Sequence, residues 1–90
     1  MGEGIMATVL MERPGLELDA RIKKAGHTCR SFAKEINVSA SRISQIVSGK
    51  RVITMDTAKK IESFFGGDFG YWLKKQTEYD IYRDKNPVAA

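Results

Sequence analysis

Ninety residues make a single domain, with little left for a second core or a separate effector module. Hydrophobic residues at 42% and charged residues at 29% are the proportions of a globular chain, and one Cys with one His excludes an internal disulfide and a zinc-ligand set. The net charge of +4 resides in one window: between Thr28 and Ile53, Arg30, Lys34, Arg42, Lys50 and Arg51 stand against Glu35 alone, while ten basic and ten acidic residues cancel elsewhere. A local basic excess of this kind marks either a polyanion-binding face or a solvated one, and the pattern of residues must decide.

Residues 1–12 hold two Gly and three Met without sustained periodicity, which predicts an N-terminal arm or an upstream start ahead of Met11. The apolar run from Ile5 to Met11 lacks a basic flank and is too short to span a bilayer, so neither signal peptide nor anchor is expected and a cytoplasmic location follows. The domain proper is expected over 13–85. Pro14 suits the first turn of a helix that carries Leu18, Ile22 and Ala25 before Gly26 stops it. Thr28 is a good cap for a second helix with Phe32, Ala33 and Ile36 on one face, and Asn37 ends it. Val38 and Ser39 leave room only for a sharp corner, after which Ser39 caps a third helix from Ala40 to about Ser48, with Ile43 and Ile46 inward and Gly49 at its end. Thr54 can cap a fourth helix with Ala58, Ile61, Phe64 and Phe65 as its apolar stripe, closed by Gly66 and Gly67. Asp68 can cap a fifth, carrying Trp72, Leu73, Tyr79 and Tyr82 to about Lys85, and residues 86–90 form a tail. Five short helices without a strand-like run predict an all-α five-helix bundle.

A helix-turn-helix reader needs two helices near a right angle, the second free to enter a DNA major groove. That geometry demands a small residue where the helices approach, here Ala33, and a residue at the corner that tolerates the left-handed backbone, here Asn37. Phe32, Ile36, Val38, Ile43 and Ile46 are spaced to hold the unit to a core. The 24-residue run TCRSFAKEINVSASRISQIVSGKR, Thr28 to Arg51, resembles the phage-repressor-like helix-turn-helix family. Arg13-Pro14-Gly15 on one side, and Tyr71-Trp72-Leu73, Gln76 and Tyr79-Asp80 on the other, are similar to the HigA antitoxin (virulence-associated protein I) subfamily.

The resemblance implies a lambda repressor-like fold, a homodimer on inverted-repeat operator DNA, repression of its own operon, and capture of a HigB-type toxin. Two departures are visible. Cys29 stands where the family has the glutamine that braces the reading helix, and Leu16 follows Arg13-Pro14-Gly15 where the subfamily has His-Pro-Gly-Glu. Carried over position by position, the resemblance puts Ala40, Ser41, Arg42 and Gln45 against base edges, with Gln45 able to pair through both amide atoms with adenine. Thr28, Arg30, Ser39, Ser44, Lys50 and Arg51 fall near phosphates. Neither cofactor nor metal is expected, and no nucleophile, base and orienting group occur at a spacing that suggests an enzyme. A free-standing repressor without a toxin, and a helical adaptor for protein or RNA, are the alternatives. Trp72, Tyr71, Tyr79 and Tyr82 are expected either in the core and its rim or on a partner surface.

Overall fold

The computed structural model describes residues 11–68 and 70–85, in which five helices follow one another: α1 (Pro14–Lys24), α2 (Cys29–Glu35), α3 (Ala40–Val47), α4 (Met55–Phe65) and α5 (Tyr71–Lys85). Most of the expected arm and the expected tail lie outside these residues. No strand occurs among the described residues, and none of their helices is long and apolar enough to cross a membrane.

Three successive helices close in the same way. A helix leaves its last carbonyls unpaired, and a residue of positive φ just past the end turns two N–H groups back onto them. At the end of α1 the Gly26 N–H donates to the Lys23 carbonyl at 2.9 Å and the His27 N–H to that of Ile22 at 3.0 Å. Asn37, at φ 59°, does this for α2, so that the Val38 N–H reaches the Ala33 carbonyl at 2.9 Å. Gly49, at φ 85°, does it for α3, and the Lys50 N–H reaches the Gln45 carbonyl at 2.8 Å. Each of these turns ends its helix and redirects the chain.

The core draws on every helix: Leu18 and Ile22, Phe32 and Ala33, Ile43 and Ile46, Ala58 and Ile61, and Trp72, with Ile36 and Ile53 from the connections. Ala25 is a correction to the first helix. That helix ends at Lys24, so Ala25 falls in the turn and is exposed, and Ile22 is the last inward residue. Val38 is only half-buried, because the corner carries it past the tightest part of the core. In α4 the apolar stripe narrows to Ala58 and Ile61; Phe64 is 36% exposed, its ring set edge-on to Phe32 with centroids 5.2 Å apart. Thr54 stands at the cap position of α4, but its hydroxyl donates to Thr57 Oγ1 at 3.4 Å and caps no backbone N–H. The Asp68 side chain does serve the start of α5, accepting the Gly70 N–H at 3.2 Å.

Polar side chains dock α5. Buried Glu62 accepts the Trp72 N–H at 3.2 Å, which satisfies one of the orphan donors at the start of that helix. Buried Gln76 accepts the Ile53 N–H through Oε1 at 3.0 Å and donates through Nε2 to Asp80 at 2.8 Å. From α1, Glu17 accepts the Tyr71 hydroxyl and bonds Arg21 at 3.0 Å, with Lys75 at 3.6 Å. The Arg21 guanidinium lies over the Tyr71 and Trp72 rings, 5.2 and 5.3 Å from their centroids.

Candidate nucleic-acid interface

The unit that presents the basic window is built by α2, the corner and α3. Thr28 caps α2 reciprocally: its Oγ1 accepts the Ser31 N–H and Ser31 Oγ accepts the Thr28 N–H, both at 3.0 Å. Ala33, 1% exposed, occupies the close approach of α2 to α3 that its small size suits. Past Asn37, Ser39 Oγ accepts the Arg42 N–H at 3.1 Å and starts α3. Ile43 and Ile46 turn inward at 0% and 2% exposure, which obliges the opposite side of this eight-residue helix to face out.

On that outer side Ala40, Ser41 and Ser44 are exposed, and Arg42 and Gln45 are half-buried. Thr28 and Arg30 are exposed at the start of α2, Ser39 at the start of α3, and Lys50 and Arg51 in the loop beyond it. No acidic residue occurs from Ile36 to Ile53, so this surface carries positive charge unopposed in sequence. All ten residues named from the sequence thus belong to α2, α3 and their flanks.

Several contacts at and behind this surface have no counterpart in the sequence reading. Arg51 Nε donates to the Gln45 Oε1 at 2.9 Å in an exposed side-chain pair, which orients the amide along α3. The Gln45 carbonyl also receives the Lys50 N–H, the Arg51 N–H at 3.2 Å and the Ser48 hydroxyl at 3.1 Å, so three donors of the exit from α3 converge on one carbonyl. Across the back of α3, the Arg13 Nη2 donates to the Val47 carbonyl at 3.1 Å. Gly15 lies so close to the Ile46 carbonyl that a Cβ there would approach its oxygen to 2.1 Å. Only the motif Arg13-Pro14-Gly15 signalled this wall, and it carried no hint of what it touches.

Cys29 does not replace the glutamine of the family pattern. It is half-buried against the core, and burial, reinforced by Asp19 and opposed by Lys23, pushes its thiol up from its ordinary pKa. A protonated, inward-packed thiol is a poor nucleophile and offers no amide to brace α3.

The model of the HTH_3 helix-turn-helix family matches residues 18–72. Virulence-associated protein I of Dichelobacter nodosus is 45% identical over 60 residues, which are 67% of this chain and 56% of that protein; the chain thus spans little more than half the length of this relative. An addiction module antidote protein of a HigA family from Coxiella burnetii superimposes with a TM-score of 0.79 at 29% identity, over 89% of this chain and 90% of that one. The Pseudomonas aeruginosa antitoxin HigA, solved with the higBA promoter, shares the fold with a TM-score of 0.77 at 23% identity, over 88% and 89% of the two chains. With the family's pattern covering more than half the chain, and its two helices and corner formed as that pattern requires, the protein belongs to the helix-turn-helix family.

Proposed function

We propose that the protein is a sequence-specific DNA-binding antitoxin that represses its own operon. The observation that carries this reading is the outer side of α3: an acid-free face with Gln45 held in place and Lys50 and Arg51 beside it. In this reading Ala40, Ser41, Arg42 and Gln45 face base edges. Thr28, Arg30, Ser39, Ser44, Lys50 and Arg51 set the register through phosphates. The likeness to the Coxiella burnetii antidote protein and to virulence-associated protein I supports the antitoxin assignment. The fold shared with an antitoxin solved on promoter DNA is compatible with operator binding. A homodimer on an inverted repeat in the cytoplasm, a HigB-type toxin as partner, a domain over 13–85 and the absence of catalysis complete the proposal.

Selection of bound sequences from random duplex DNA tests it directly, because a dimeric reader returns two half-sites at a fixed spacing. On the selected site Gln45→Ala costs about 1–3 kcal/mol and leaves random DNA almost unaffected, whereas Lys50→Ala weakens both. Equal losses on both duplexes for Gln45→Ala overturn its role as a reader. Co-purification with the product of a neighbouring small basic reading frame tests the toxin.

A further inference from the structure

Beside the reading face, the start of α1, the loop after α3 and the outer half of α5 enclose a cavity of about 210 Å³. Arg13, Arg51 and Arg83 line it, with Ser48, Gln76 and Tyr79; among the described residues no carboxylate lines it, and Asp80 is engaged by the Gln76 amide at 2.8 Å. Among the described residues none of the three arginines forms an ion pair. Three guanidiniums brought from distant segments to one concavity repel each other unless an anion or water screens them.

The cavity is also prepared for an anion. The last carbonyls of α3 would oppose negative charge here, but the Arg13 Nη2 covers that of Val47, while its Nε is buried without an acceptor. Arg51 directs its Nε to Gln45, and its terminal amino groups meet no acceptor among the described residues. Arg83 is exposed, its guanidinium 5.8 Å from the centroid of the Tyr79 ring. A backbone phosphodiester presents two non-bridging oxygens that share one negative charge, each able to accept more than one guanidinium N–H, and its place is given by Ser48, Gly49 and Arg51, which bring the cavity to the exit from α3.

We propose that this cavity is a phosphate site of the DNA interface, in which Arg13 and Arg83 join Arg51 on one backbone phosphate of the duplex that α3 reads. The proposal rests on the reading of the chain as a DNA-binding protein. It gives α5 a part in DNA binding, and through Arg51 it ties a backbone contact to the Gln45 amide.

Binding of the full chain to a selected duplex and to a random one, measured by fluorescence anisotropy across a range of KCl concentrations, provides the test. Arg83→Gln is compared with Lys85→Gln, a neighbour on α5 that does not line the cavity. The expected result is that Arg83→Gln lowers affinity for both duplexes by a similar factor and flattens the slope of log K against log salt, by less than the roughly 0.9 of a whole phosphate per protomer because Arg13 and Arg51 still face the same group, with Lys85→Gln unchanged. Arg83→Gln behaving as Lys85→Gln, with wild-type binding still salt-dependent, overturns the phosphate site and leaves DNA binding by α3 standing. Loss of self-association by sedimentation with an unchanged salt slope also overturns it, and assigns the cavity to an acidic side chain of a second copy. Wild-type protein without salt-sensitive retention on either duplex overturns the DNA-binding reading itself.

Discussion

The Nε of Arg51 stands 2.9 Å from the Oε1 of Gln45, six residues back along the chain, and the two meet because Gly49 turns the backbone at the end of α3. The amide oxygen has a second lone pair, so Gln45 can hold Arg51 and still accept a hydrogen bond from a base N–H. The contact brings order to the face from which the resemblance had removed it at Cys29.

Replacing Arg51 by Lys keeps the charge and removes the geometry, since an ammonium on a flexible stem lacks the fixed Nε–H. We expect random-duplex affinity and salt slope to persist while the ratio of specific to random binding falls several-fold. An unchanged ratio in competition anisotropy means that Gln45 needs no such partner.

Gly15→Ala places a methyl 2.1 Å from the Ile46 carbonyl oxygen, a backbone atom that cannot turn aside. The α1–α3 contact must open, at a cost of about 1–3 kcal/mol or more. Urea denaturation reads this as a lower midpoint, and an unaltered midpoint contradicts the close approach.

Gln76→Met preserves most of the side-chain volume and removes the acceptor for the buried Ile53 N–H. An unpaired buried amide costs about 1–3 kcal/mol, and the same urea titration measures it. A loss below about 0.5 kcal/mol would show that water reaches Ile53.

Glu17 and Tyr71 give the stability a pH dependence of opposite sign at the two ends of the scale. Burial pushes the Glu17 carboxyl up, but the Tyr71 hydroxyl, Lys75 and Arg21 together outweigh it and the net shift is down from 4.5. Its stabilisation is therefore full above that ordinary value and is lost as pH falls through the lower folded one. The Tyr71 phenol is raised from 10.0, chiefly by its hydrogen bond to Glu17 and then by burial, so its contribution is full below 10.0 and is lost as pH rises through the folded value. The melting-temperature gap between wild type and Glu17→Gln should narrow in acid, and that to Tyr71→Phe in alkali. Gaps that stay constant across both ranges refute the coupling.

The features legible in the sequence are those that a few neighbouring residues determine. Thr28 and Ser39 cap helices because a hydroxyl reaches N–H groups two or three residues on, and Asn37 and Gly49 turn the chain because they tolerate positive φ. Ala33 was legible too, since the corner dictates where two helices touch. What escaped depends on elements distant in sequence: Arg13 on Val47, Gly15 on Ile46, Gln76 on Ile53 and Glu62 on Trp72. Phe64 went astray because periodicity gives the side of a helix and not the edge of the core. Lining of one cavity by residues 13, 51 and 83 has no local signature at all.

Only Trp72 and Gln76 of α5 are buried, and both lie in its first two turns; the remaining length to Lys85 is half-buried or exposed. Hydrogen exchange should therefore divide this helix in time. Amides near Trp72 open only with the whole domain, while those beyond Tyr79 exchange through local fraying that leaves the other four helices intact.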